Sequence, residues 1–437
     1  MGFFSNMSQR LEFSLGRRAF LKGAVSVAAL ATLGLSPALA GKRQVDDDQA
    51  EWPQQWQVSD ELSVGRETTP TLSPATVAAT ENAITKYQDI VARGGWNLAP
   101  SGAQLGLGAK GRAVQDLRQR LAASGDIDPD AGNGPTYDSF VESAVKRFQI
   151  RHGLGPTGVV DKDTLRELNV RAEDRLRQLQ INLVRLRSFA GDLGPRFVMV
   201  NIPAAAVETV EGGQVYTHHR AGVGRIDRQS PIMHTKALEI NFNPFWNVPP
   251  SLIKKDLIPK MKKDPNYLTE EKIHIINKDG QEVQPASINW NTDDAIHYRY
   301  RQEPGAEVDA LGAVRINISN PYGVYMHDTP EKGIFGDDFR FVSSGCVRVQ
   351  DVRDYVAWLL KDNSGWGRDQ IDETIRTGSR TDVKLAKPVD VYWVYVTAWS
   401  TPDGIVQFRP DIYKRDGDGP GPVADAAPAR PIALPQE

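Results

Sequence analysis

The stretch Tyr325-Met326-His327-Asp328-Thr329-Pro330, followed after a short gap by Ser343-Ser344-Gly345-Cys346-Val347-Arg348-Val349, decides how this 437-residue chain is read. Cys346 is the only cysteine in the sequence, so neither an internal disulfide nor a multi-cysteine zinc or iron–sulfur site can form. A thiol attacks as its thiolate, and a nearby imidazole supplies both a base and a compensating charge. His327 stands nineteen residues before Cys346. Gly345 lets main-chain amides approach a reacting carbonyl, as an oxyanion hole requires. Arg348, two residues on, shares a face with Cys346 if the strand continues. A free cysteine is also commonly a small buried hydrophobe. The glycine before it, the upstream histidine and the export signal described below weigh against that reading here.

Outward from this stretch the texture is that of strands. Val198, Val200 and Ile202 alternate, as do Val391, Trp393 and Tyr395, and segments 214–220, 236–242, 314–318 and 322–326 are strand-like. One helix over about 351–362 interrupts them, with Asp351 as its cap and Tyr355, Val356, Leu359 and Leu360 inward. Residues 245–310 carry Pro-rich and lysine-rich stretches that do not read as sheet, and they are expected to form an inserted lid. On the N-terminal side, Leu176, Leu179, Leu183 and Leu186 make one apolar stripe of a helix over 172–190. Arg175, Arg177, Arg185 and Arg187 flank it as a solvated face.

Residues 105–170 read as a compact helical unit. Val114, Leu117 and Leu121 line one helix, and Phe140, Ala144 and Phe148 a second, closed by Gly153. Asp161 is placed as the N-cap of a third helix carrying Leu165 and Leu168. Ile84, Tyr87 and Val91 mark a further helix over 81–93. Residues 41–80 are polar and read as a flexible lead-in. The Pro- and Ala-rich segment 416–437 reads as a disordered tail.

The N-terminus reads as an address. Arg17-Arg18 precede a weakly apolar run from Ala24 to Leu35 and the small-residue pattern Ala38-Leu39-Ala40. This is a signal peptide of the twin-arginine type with cleavage expected near Ala40. The run is too short to span a bilayer, which takes about 20 residues. Net charge is −3, so no basic field points to nucleic acid. An exported chain that keeps one unpaired thiol suggests that the thiol is used.

Two resemblances follow from these residues. Leu107-Gly108, Gly111, Val114, Leu117 and Arg120-Leu121, then Ala144-Val145, Phe148-Gln149 and His152-Gly153-Leu154, then Thr157-Gly158-Val159-Val160-Asp161 resemble the three-helix peptidoglycan-binding domain. The His327 to Gly345-Cys346 stretch resembles the catalytic core of L,D-transpeptidases of the YkuD type. Asn182-Leu183, Val200-Asn201-Ile202-Pro203, Val223-Gly224, Asn243-Pro244, Trp246-Asn247-Val248-Pro249, Arg301-Gln302 and Ala310-Leu311-Gly312 extend it toward the large, Gram-negative-type members. Where many members carry a second histidine before the Gly-Cys, this chain has Ser344.

The resemblance implies an α+β multidomain chain. Residues 81–170 would form the peptidoglycan-binding bundle and 171–194 a connecting helix. Residues 195–400 would form the mainly β catalytic domain, with the lid inserted over about 245–310. It further implies Cys346 as nucleophile, His327 as general base and acid, and lesser roles for Tyr325, Asp328, Ser344, Gly345 and Arg348. Asp328 would orient the imidazole through its main chain. The substrates would be peptidoglycan stem peptides in the periplasm, without metal or organic cofactor, and carbapenems would acylate the thiol. A wall carboxypeptidase, an enzyme anchoring proteins to the wall, and a non-catalytic wall-binding scaffold are the competing readings. His218-His219 point to opposite faces of a strand, His152 ends a helix where a cationic ring suits the dipole, and His234, His274 and His297 lack ligand spacing.

Overall fold

The computed structural model describes residues 68–99, 105–130, 134–189, 191–305, 309–417 and 424–425. The expected signal peptide, most of the lead-in and most of the tail lie outside them. Helix α1 (Pro74–Ala92) begins with Ser73, whose hydroxyl accepts from the Thr76 amide at 3.1 Å, and with proline at its first position. Residues 74–80 are therefore helix and not lead-in. Their buried positions are Thr76 and Thr80, so no large apolar residue betrays the period before Ile84. This helix packs chiefly on α5 (Ala172–Ser188) and on the hairpin of β14 (Ala398–Ser400) and β15 (Val406–Phe408), and it meets the bundle with which its sequence position grouped it at Tyr87, beside Arg151.

The bundle consists of α2 (Arg112–Ser124), α3 (Ser139–Arg151) and α4 (Lys162–Leu168). Val114, Leu117, Leu121, Val141, Ala144, Val145, Phe148 and Leu168 close its core. Asp161 caps α4 by accepting from the Thr164 amide at 2.8 Å. Phe140 does not join the core; it lies 69% exposed, and Val141 takes the inward place.

The seam between bundle and neighbours corrects several expectations. Arg175 and Arg185 are buried, not solvated: Arg175 pairs with Glu167 at 2.5 Å and Arg185 with Asp416 at 2.6 Å. Asp416 also accepts from Thr397 Oγ1 at 2.7 Å, so the expected start of a loose tail is an anchor. His152 stacks between Phe148 and Phe408, with centroids at 3.9 and 5.4 Å. Burial, then the Arg151 and Arg175 cations, hold its pKa well below the ordinary value, so the ring is neutral and not a cationic cap.

The β domain is built on β1 (Arg196–Asn201), β2 (Ala206–Glu211), β3 (Gln214–Gly224), β4 (Met233–Phe242), β9 (Val314–Ile318), β10 (Met326–His327), β11 (Phe341–Ser343), β12 (Val347–Val349) and β13 (Thr381–Val394). The ladder runs β11-β3-β12-β10-β9-β4-β13-β1-β2, and β2 pairs again with β3, so it returns on itself. Strand β3 is long enough to serve three neighbours: its first part pairs β2, and its last residues pair β12 and β11. The segment expected as a strand over 322–326 contributes only Met326, the first of the two residues of β10. β16 (Ala424–Asp425), within the expected tail, pairs in parallel with β4.

Val198, Val200, Ile240, Ile316, Met326, Val347 and Val349 form the core with α6 (Val352–Leu359) and α7 (Arg368–Thr377). Asp351 precedes α6 in a left-handed conformation (φ 48°) and gives no side-chain cap. The insertion is not devoid of sheet. β5 (Trp246–Asn247), β6 (Ile273–Ile276), β7 (Glu282–Val283) and β8 (Arg299–Gln302) form a four-stranded sheet in the order β5-β8-β6-β7. Val248, Ile253, Leu257, Met261, Leu268, Ile275 and Tyr300 give it a core of its own. Its strands are two to four residues long, too short for alternation to be visible in sequence.

Candidate active site

Three adjacent short strands build the site. β10 pairs β12 in parallel, with Met326 opposite Val347 and His327 opposite Arg348. On its other side β10 pairs β9 antiparallel, with His327 opposite Arg315. Because successive side chains alternate, burying Met326, Val347 and Ile316 in the core turns His327, Arg348 and Arg315 to the opposite face. Tyr325 and Cys346 continue that face, and the Val347 amide donates to the Tyr325 carbonyl at 3.0 Å. The Tyr325 and His327 rings meet edge-on at 5.6 Å, and the Arg315 guanidinium lies over the Tyr325 ring at 4.5 Å.

The thiol is half-buried and surrounded by groups that favour its anion. Burial outweighs them and leaves its pKa raised to about 11, although the main chain and hydroxyl of Tyr325 and the Arg315 and Arg348 cations oppose that rise. His327 is buried. Burial first, then Arg348 and Arg315, pull its pKa down to about 3, and nearby main chain of Asp328 and Leu311 only partly offsets this. At neutral pH the resting pair is thus an imidazole and a thiol, both uncharged. His327 Nδ1 is buried without a hydrogen-bond partner. The Asp328 carboxylate does not serve the imidazole; it accepts from the Ala313 amide at 3.0 Å and pairs with Lys332.

The loop before the thiol is held from below. Ser343 Oγ donates to the Cys346 carbonyl at 2.6 Å and accepts from the Gly345 amide at 3.1 Å. Ser230 Oγ donates to the Gly345 carbonyl at 2.9 Å. Gly345 has φ 113°, where an L side chain is strained, and the Gln229 carbonyl would lie 3.4 Å from a Cβ there. Its own amide is engaged inside the loop, and the glycine shapes the turn. Ser344 is exposed, and its hydroxyl accepts from Arg228 Nη1 at 2.9 Å.

Of the residues singled out in sequence, Cys346, His327, Tyr325 and Arg348 come together, whereas Ser344 and the Asp328 carboxylate serve other contacts. Arg315 was missed. Its signal is the alternation Val314-Arg315-Ile316-Asn317-Ile318, which sets a cation opposite a core face. Trp246 of the insertion, whose Nε1 donates to Tyr325 Oη at 3.2 Å, joins the site only through folding.

A family model for the L,D-transpeptidase catalytic domain (YkuD) matches residues 195–391, and one for "Putative peptidoglycan binding domain" matches residues 110–168. The chain carries an L,D-transpeptidase catalytic domain beside a peptidoglycan-binding domain. A Haemophilus influenzae protein named "Putative L,D-transpeptidase" is 37% identical over 243 residues, covering 55% of this chain and 48% of that protein. The chain thus aligns with about half the length of this curated relative. Among solved structures, the L,D-transpeptidase from Xylanimonas cellulosilytica aligns at 14% identity over 68% of this chain and 99% of its own, with a TM-score of 0.22. One from Stackebrandtia nassauensis aligns at 12% identity over 68% and 96%, with a TM-score of 0.25. TM-scores this low reflect no close superposition. Among the described residues, no group of three or more His, Cys, Asp or Glu is placed to hold a metal, and no helix is long and apolar enough to cross a membrane.

Proposed function

We propose that this chain is an exported cysteine L,D-transpeptidase that cleaves the diaminopimelate–D-Ala bond of peptidoglycan tetrapeptide stems and forms 3→3 cross-links. The observation that carries the reading is the gathering of Cys346, Tyr325, His327, Arg315 and Arg348 on one face of three neighbouring strands. The neutral His327 accepts the thiol proton as Cys346 Sγ attacks the carbonyl of the third stem residue. The positive field of Arg315 and Arg348 stabilises the oxyanion that develops. His327 then gives its proton to the D-Ala amine as that bond breaks, which leaves a thioester. A side-chain amine of a neighbouring stem attacks the thioester, and His327 takes a proton from it. The new amide forms as the thiolate leaves, and the proton returns to sulfur.

The bundle would retain the enzyme on the wall, and Arg17-Arg18 would direct it through the twin-arginine route to the periplasm. Incubating the mature protein with purified disaccharide-tetrapeptides and weighing the products tests the reading. Cross-linked dimers are expected. Tripeptides alone would make it a carboxypeptidase, and unchanged substrate would leave a wall-binding scaffold.

A further inference from the structure

The loop between β3 and β4 touches both the capping insertion and the nucleophile loop. Arg228 on that loop forms a bidentate ion pair with Asp256, whose π-turn Ile253–Leu257 belongs to the insertion: Nη1 to Oδ2 at 2.6 Å and Nη2 to Oδ1 at 2.8 Å. The same Nη1 donates to Ser344 Oγ at 2.9 Å, two residues before Cys346. The guanidinium side chain is 11% exposed and Asp256 35%. The backbone of the same loop lies beneath the turn, with the Gln229 carbonyl facing Gly345 and Ser230 Oγ bonded to the Gly345 carbonyl. Ser230 is held in turn: its hydroxyl accepts from the Gly224 amide at 2.9 Å.

We infer that Arg228 is a positioning residue that latches the capping insertion to the turn carrying Cys346, so that a seated cap and an ordered nucleophile loop occur together. The shape of the guanidinium explains the choice of residue. A planar fork holds both oxygens of one carboxylate with two parallel donors on separate nitrogens and still presents a donor to a third oxygen, whereas an ammonium has its three donors on one nitrogen and cannot match that geometry. The Trp246–Tyr325 hydrogen bond ties the insertion to the site separately. Arg228 therefore closes one edge of the cleft and does not hold the insertion alone. The inference rests on Cys346 being the reactive centre, but its readout needs no cross-linking reaction.

Because Cys346 is the only thiol, every thiol label reports on this site. The test compares the alkylation rate of the full mature chain by iodoacetamide with that by a bulky polymer-linked maleimide. Breaking the latch in Arg228→Met or Asp256→Asn should raise the bulky-to-small rate ratio about three- to tenfold, the scale of one partly exposed bidentate pair. Tm should change little. Arg228→Lys, which keeps the charge but not the fork, should fall between, and it stands in if the methionine variant does not fold. The exchanged pair Arg228→Asp with Asp256→Arg should bring the ratio back toward wild type. An unchanged ratio in the single variants, or no recovery in the exchanged pair, overturns the latch. A shifted ratio in a protein whose wild type cross-links nothing supports the latch and removes only the transpeptidase reading.

Discussion

Two regions of this molecule bury charge, and they do so in opposite ways. In the seam between the helical bundle and the hairpin β14–β15, buried guanidiniums meet carboxylates: Arg151 with Asp126 at 2.5 Å, Arg175 with Glu167, Arg185 with Asp416. In the cleft, Arg315 makes no ion pair among the described residues and its Nε lacks a partner, and His327 Nδ1 is likewise buried and unpartnered, whereas Arg348 is paired at its outer end with the exposed Glu331 at 2.6 Å. Buried polar groups are nearly always satisfied in folded proteins. A seam that satisfies its charges is a structural joint, and a cleft that leaves Arg315 and the His327 Nδ1 open is a candidate place for a ligand to complete the set.

The sharpest test of that contrast falls on the cleft. Cys346→Ala should abolish turnover and leave the fold intact, and His327→Gln should lose about 100- to 10,000-fold in rate. Intact-mass measurement with a carbapenem should show one adduct, absent in Cys346→Ala. An adduct on a serine would sink the thioester mechanism. The next largest effect belongs to the seam. Asp126→Asn leaves Arg151 buried and uncompensated, a loss of about 3–5 kcal/mol. Chemical denaturation should show it, while iodoacetamide alkylation of Cys346 in the folded protein should keep its wild-type rate.

Arg315→Met reverses the pattern. Denaturation midpoints should hardly move, but removing a cation that favours the thiolate raises the thiol pKa further. Alkylation at pH 8 should slow several-fold, and in the wild type its rate should still be climbing above pH 9. The smallest effect is on acid stability. The His327 pKa falls from 6.5 in the unfolded chain to about 3 in the fold. Between those values the unfolded chain binds the extra proton, so the contribution is complete above pH 6.5 and is lost as pH drops toward 3. The slope from this group approaches about 1.4 kcal/mol per pH unit, and denaturation at pH 4 to 7 should show a shallower dependence in His327→Gln. An equal slope in both proteins would place the acid sensitivity elsewhere, with His152 next to be tested.

Local pattern read well where the period is long and the partner is water or the core. The faces of α2 and α4, the Asp161 cap and strand β9 are all legible in sequence. Pattern failed where one side chain decides. Phe140 looked inward by spacing, yet Val141 took the inward place. His152 looked like a cationic cap, yet two aromatic rings and two arginines keep it neutral. Arg175 and Arg185 of α5 looked solvated like Arg177 and Arg187, which are exposed, because their carboxylate partners come from the bundle and from Asp416, far along the chain.

The amino-acid order alone determined which groups can do chemistry here. One thiol, a histidine nineteen residues before it and a glycine beside it follow from covalent identity and spacing, and no folding can add a second thiol. Only the tertiary structure decided how those groups behave. Placing β9, β10 and β12 side by side brings Arg315 and Arg348 to the thiol, and burial holds both the imidazole and the thiol neutral. The Arg228–Asp256 pair sets the insertion against Ser344. Field, desolvation and ion pairing depend on distance through space, and residues 228, 256, 315 and 346 are neighbours there without being neighbours along the chain.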